Sequence, residues 1–178
     1  MIDIHVLTHS GTRDDWLEQC LSSMRDQPCT VHVVSGEEGH IGQGRAAGFS
    51  LGEHPYVGYV DSDDYVLPGA MAACLSALTH HAAVCTDEIA TVGDVEVAQH
   101  SLHHLYVARR EAVLPLLPSI AQLNHHPEAV LRYHLRPARV KMLGYVWRLD
   151  GTQSRLKIRK DLTTEARVLR ELRRAEMQ

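Results

Sequence analysis

Three times within the first 80 residues a short apolar run gives way to a helix-like segment, and few folds accommodate that rhythm. Ile2-Asp3-Ile4-His5-Val6-Leu7-Thr8 alternates and then becomes apolar, as a strand does. After a turn at His9-Ser10-Gly11-Thr12, the side chains of Trp16, Leu17, Cys20, Leu21 and Met24 share one helical face. Thr12 with Asp15 three residues on resembles a weak capping box, and Gln27-Pro28 stops the helix. A second strand, Thr30–Val34, ends at Ser35-Gly36, and a helix starting near Gly42 runs to about Leu51. The third strand, Tyr56–Val60, ends in Asp61-Ser62-Asp63-Asp64. Its helix runs from Pro68 to about His80, with proline in the first turn where a missing N–H costs nothing. Such units build a parallel sheet with helices on its faces and right-handed crossovers. Ligands of these sheets sit beyond the C-terminal strand ends. Thr8-His9-Ser10, Ser35-Gly36 and Asp61-Ser62-Asp63 all fall there.

Carboxylates thrown from a strand end suit a hard divalent cation, which prefers oxygen ligands and often brings a diphosphate. The bland reading of Asp61–Asp64 is a solvated, helix-capping turn.

The second half is less regular. Val84–Thr86, Val92–Val97, Leu105–Ala108 and Arg139–Leu149 read as strands. Glu111–Leu117 and Pro127–Leu135 read as helices, and Asp161–Glu176 as a basic amphipathic helix with Leu162, Ala166, Leu169 and Leu172 on one side.

A chain of 178 residues suits one domain, here residues 1–154, followed by a basic helical tail over 155–178. Hydrophobic content of 44% excludes a disordered chain. No apolar run is long enough for a membrane span, and the N-terminus lacks the layout of a secretion signal. Cys20, Cys29, Cys74 and Cys85 are scattered without a CxxC, which reads as reduced thiols in a cytoplasmic protein. The doublets His80-His81 and His103-His104 lack zinc-ligand spacing and are assigned surface or packing roles. Charge is lopsided. Residues 1–130 hold 5 Lys/Arg against 17 Asp/Glu, while residues 131–178 hold 13 against 5. That basic segment either faces a polyanion or docks on its own acidic domain.

The order of motifs resembles glycosyltransferase family 2. Leu7-Thr8-His9-Ser10 stands where the family has a Pro-Thr-Tyr-Asn-like turn. Leu17-Glu18-Gln19-Cys20-Leu21-Ser22-Ser23 matches its Leu-x-x-Cys-Leu-x-Ser helix, and Ile41–Gly48 looks like its Gly-x-x-x-Ala-Arg-Asn-x-Gly element. Asp61-Ser62-Asp63-Asp64 then matches Asp-x-Asp-Asp. Tyr106–Val113 resembles the Phe-Arg-Arg segment more loosely, as Tyr145–Ser154 does the closing segment. Two departures stand out. Ser35-Gly36-Glu37 replaces the family's base-reading aspartate, and the catalytic Glu-Asp pair falls near His125-His126, with Glu128 two residues on.

The resemblance implies a GT-A-like (Rossmann-like) α/β fold, a single compact domain with a mixed, mainly parallel sheet flanked by helices. It implies a metal-dependent, inverting transfer of sugar from a nucleoside diphosphate sugar, a UDP-sugar foremost, to a glycan, protein or DNA hydroxyl. Asp63 would coordinate Mn²⁺ or Mg²⁺ directly. Asp61 would take the ribose or share the metal, and Asp150 would complete the metal shell. Thr8, His9, Ser10, Ser35, Gly42 and Ser62 would line the donor site, with Arg45 neutralising phosphate or bracing the acidic turn. His126 and Glu128 are the candidates for general base. Each has a plainer reading: a structural ion pair for Arg45, a turn for Asp150, ordinary loop positions for His125 and His126. A small single-domain transferase also fits a phage enzyme working in the host cytoplasm. The oligomeric state is left open. The rivals are a sugar-phosphate nucleotidyltransferase and a non-catalytic nucleotide-sugar-binding module. Against the first, the chain lacks a Gly-rich start with a Lys/Arg signature after its first strand.

Overall fold

A computed structural model describes residues 1–37, 39–149, 167 and 170–174. Seven strands form one sheet: β1 (Ile2–Thr8), β2 (Cys29–Ser35), β3 (Tyr56–Asp61), β4 (Tyr65–Val66), β5 (Ala83–Val92), β6 (Val95–Arg109) and β7 (Ala138–Leu149). Their order across the sheet is β2-β1-β3-β6-β5-β7-β4. β1 pairs parallel with β2 and β3, and β5 pairs parallel with β7. β6 runs antiparallel to β3 and β5, and β4 antiparallel to β7. Five strands therefore point one way and two the other, a mixed, mainly parallel sheet.

The three strand–helix units appear where the periodicity put them, with α1 (Asp14–Met24), α2 (Ile41–Phe49) and α3 (Ala70–Ala77) as their helices. β1 is buried on both faces because it lies between two strands and beneath helices on each side. Ile2, Ile4 and Val6 join Cys20 and Met24 of α1 and Met71 and Cys74 of α3 in one core cluster. Val57 and Tyr59 of β3 face the opposite way. They pack with Phe49 of α2, with Ile120 of α5 (Leu117–Ala121), and with Val130 and Leu131 of α6 (Glu128–Leu135).

Three local expectations change. Val92–Val97 is not one strand but the tip of the β5–β6 hairpin, which turns at Gly93 with φ +57°. Glu111–Leu117 is not one helix. Pro115 and Pro118 remove backbone donors and divide the stretch into α4 (Arg110–Val113), a 3₁₀ turn and α5. Thr12 does not cap α1; its hydroxyl accepts the His9 N–H instead. In the tail, Arg167 and Arg170–Arg174 are helical and Leu172 packs on the second cluster. Asp150 and the remainder of 155–178 lie outside the described residues. No helix among the described residues is long and apolar enough to cross a membrane.

Candidate active site

β1, β2 and β3 end level with one another: Thr8 pairs with Ser35 and Leu7 with Asp61. At the end of β3 the Asp64 N–H donates to the Asp61 carbonyl at 3.1 Å, which closes a turn and ends the alternation of the strand. The four residues consequently point in different directions. Asp64 and Ser62 are buried, Asp61 is partly buried, and Asp63 is exposed.

Asp64 is the anchor. At 1% exposure it accepts the Tyr145 hydroxyl on Oδ2 at 2.8 Å and the Arg148 N–H on Oδ1 at 2.7 Å. The Tyr145 oxygen in turn accepts the Asp61 N–H at 3.2 Å. The Arg148 guanidinium donates to the Asp64 carbonyl and reaches α1 through Gln19 Oε1 at 2.8 Å. β7 thus fastens the acidic turn at both its ends. Burial, with the neighbouring Asp63 charge, pushes the Asp64 carboxyl well above the usual range.

Asp61 is held from the other side by Arg45 of α2, whose guanidinium bonds Oδ1. Arg45 is 3% exposed and lies 4.0 Å over the Tyr59 ring. Burial works against its charge, but Asp61, Tyr59 and Glu128 more than offset it, so the cation persists. Its Nε and Nη1 groups have no hydrogen-bond partner among the described residues.

His104 of β6 lies against the same turn. Its backbone N–H and ring Nδ1 both meet Glu88 Oε2, at 2.8 and 2.9 Å, and its ring stacks on Tyr145 with centroids 5.2 Å apart. Burial disfavours the charged ring, yet Glu88, Asp64 and Asp61 carry it up to about 9. Ligand atoms of Asp61, Asp64 and His104 lie within 4.8 Å of one another, the composition of a candidate metal cluster. Two of the three are already engaged: His104 Nδ1 meets Glu88 Oε2, and both Asp64 oxygens accept protein donors. The second Asp61 oxygen makes no hydrogen bond among the described residues, and Asp63 faces solvent. Asp61 thus keeps an oxygen of the kind a hard cation prefers, with Asp64 and His104 beside it as support.

The other sequence candidates divide. His126 Nδ1 and Glu128 Oε1 lie 3.3 Å apart at the start of α6, with His126 at φ 50°. Burial opposes the Glu128 charge, but His126, Arg132 and Arg45 lower its carboxyl to about 2. Glu128 is therefore electrostatically linked to the Arg45 that holds Asp61. Ser35 lines an open cavity of about 220 Å³ with Gly36, Glu37, His40 and Gln43. The Thr8 hydroxyl donates to the Val34 carbonyl at 3.3 Å. His9 and Ser10 are exposed, and the His9 ring accepts the Gly11 N–H at 3.0 Å. Gly42 lies where α2 meets α5: a side chain there would overlap the Ile120 and Leu123 carbonyls. Asp64, Tyr145, Arg148, His104 and Glu88 carried no assigned site role in the sequence. The loose closing-segment match over Tyr145–Ser154 was the one signal that covered two of them.

The family pattern described as Glycosyl transferase family 2 matches residues 6–137. No curated protein matches the chain in sequence. Among solved structures, S. aureus TarS 1–349 superposes with a TM-score of 0.63 at 14% identity, covering 83% of this chain and 60% of that one. TarS 1–349 in complex with UDP-GlcNAc gives 0.58 at 15% identity, covering 83% and 58%. Mannosyl-3-phosphoglycerate synthase from Rubrobacter xylanophilus gives 0.54 at 11% identity, covering 100% and 75%. The chain thus spans about 60% of the TarS 1–349 length. At these identities the structures speak for the fold, which is GT-A-like. The family pattern covers most of the chain, including the acidic turn, and this protein belongs to glycosyltransferase family 2.

Proposed function

We propose that the chain transfers a sugar from a nucleoside diphosphate sugar to an acceptor hydroxyl with inversion, aided by Mn²⁺ or Mg²⁺. The observation that carries this reading is the acidic turn, which ends level with β1 and β2 and is braced from both sides. Asp63 and Asp61 would hold the cation, with Asp150 as a further candidate ligand. A cation held there would supply Lewis-acid neutralisation of the leaving group's negative charge. Arg45 orients Asp61 by its direct ion pair. Thr8, His9, Ser10 and Ser35 would border the nucleotide, and Ser62 and Gly42 would support it from within.

A UDP-sugar is the first donor to test, because TarS 1–349 has been solved with UDP and with UDP-GlcNAc. The acceptor is a glycan, a protein or DNA. We take residues 155–178 as a basic tail to the transferase domain of residues 1–154, and a DNA acceptor predicts binding that weakens steeply with salt. The test is a thermal-shift screen of nucleotide sugars with and without Mn²⁺, followed by analysis of transfer products. Stabilisation that needs both the donor and Mn²⁺, with turnover lost in Asp63→Ala, is expected. Stabilisation without turnover favours a non-catalytic binding module instead. No stabilisation by any nucleotide sugar contradicts the proposal.

A further inference from the structure

The two candidates at the start of α6 are not equivalent, and we infer that His126 is the general base while Glu128 positions it. The inference rests on the transferase reading above and departs from the carboxylate base that the sequence resemblance implies. His126 Nδ1 lies 3.3 Å from Glu128 Oε1. An imidazole whose Nδ1–H donates to a carboxylate carries its lone pair on Nε2, the arrangement by which a base is oriented by a third group. Glu128 suits the positioning role better than the base role. Held by His126, Arg132 and Arg45, it stays a carboxylate to strongly acidic pH, and a carboxylate so stabilised takes up a proton reluctantly near neutrality. The backbone supplies a second observation. His126 sits at φ 50°, an uncommon conformation for a residue with a side chain, and it immediately precedes Pro127 and α6. Such backbone strain gathers at functional sites.

The dyad also faces the right neighbours. Among the described residues, Arg45 from α2, Tyr59 from β3 and Arg132 from α6 interact electrostatically with Glu128. Arg45 feels the charges of both Glu128 and Asp61, so the dyad and the acidic turn are linked electrostatically through one guanidinium. In the transfer step the acceptor O–H bond breaks and its proton moves to His126 Nε2. The oxygen's electron pair forms the bond to the anomeric carbon. The bond from that carbon to the β-phosphate oxygen breaks, and its electron pair leaves with the nucleoside diphosphate. The imidazolium then returns its proton to water.

The experiment measures UDP release from UDP-GlcNAc and UDP-glucose in Mn²⁺, with water as acceptor. It uses wild type, His126→Gly, Glu128→Gln and the exposed-site control His125→Gln. Glycine accepts positive φ, so His126→Gly keeps the fold and opens a slot for free imidazole. The expected result is a fall in kcat of about 10²–10⁴ for His126→Gly, with donor KM unchanged. Added imidazole restores at least about tenfold of that loss, and rescue rises with the fraction of free base. Glu128→Gln loses about tenfold and moves the acidic limb of the pH–rate profile to lower pH, because the anion that favoured the imidazolium is gone. His125→Gln matches wild type. A larger loss in Glu128→Gln than in His126→Gly overturns the assignment in favour of Glu128, and no rescue by imidazole overturns it as well. Failure of wild type to bind either UDP-sugar sinks the transferase reading itself and this dyad with it. Normal donor binding with an unrescued His126→Gly sinks only the dyad.

Discussion

Tyr145→Phe removes one oxygen and nothing else, and that oxygen joins the acidic turn to the sheet. The hydroxyl donates to Asp64 Oδ2 at 2.8 Å and accepts the Asp61 N–H at 3.2 Å. Phenylalanine preserves the ring volume and the stack on His104, so no cavity term arises. Leaving the buried Asp64 oxygen without its donor costs about 1–3 kcal/mol. Leaving the Asp61 N–H without an acceptor adds about 1–3 kcal/mol where water cannot reach it. Asp64 is fully buried, whereas Asp61 is 28% exposed and can recruit water, so the first loss counts in full and the second at its low end. The sum is about 3 kcal/mol, which lowers Tm by roughly 6–12 °C for a domain of this size. Urea unfolding of Tyr145→Phe, Asp64→Asn and the double variant measures it. A coupling energy of at least about 1 kcal/mol between the two sites is expected for groups in direct contact. A destabilisation below about 1 kcal/mol with no coupling would refute the idea that β7 holds the turn through this hydroxyl.

Gly42→Ala places a methyl group against the Ile120 and Leu123 carbonyls. It should destabilise by about 1–3 kcal/mol through overpacking, read by urea unfolding. Glu128, lowered to about 2 from 4.5, contributes stability that is present above about pH 4.5. That contribution fades as pH falls toward 2, and an acid titration should show wild type losing more stability over this window than Glu128→Gln. His104, raised to about 9 from 6.5, acts oppositely. Its contribution is complete below pH 6.5 and disappears as pH rises through 9, so alkaline unfolding should be shallower in His104→Gln.

The strand–helix units and the acidic turn were legible because their signals are local. Apolar alternation, a proline at a helix start and a run of aspartates each lie within a few residues. The division of labour inside Asp61–Asp64 was not. A tight turn breaks strand alternation, so spacing does not say that Asp64 points inward and Asp63 outward. The partners that decide it come from far along the chain: Tyr145 lies 81 residues from Asp64. His104 reaches the turn because β6 passes beside β3, a strand pairing that periodicity does not encode. Gly42 matched a family motif for the donor site, and the structure adds a helix-packing constraint at the same position. The broken helix at 111–121 was visible in principle through Pro115 and Pro118.

Calorimetric titration of UDP into the protein, first in Mn²⁺ and then in EDTA, asks whether the outward carboxylates grip a cation that grips a diphosphate. Binding heat that appears in Mn²⁺, vanishes in EDTA and is absent in Asp63→Ala is the expected result. Equal binding in EDTA, or binding untouched by Asp63→Ala, would contradict it.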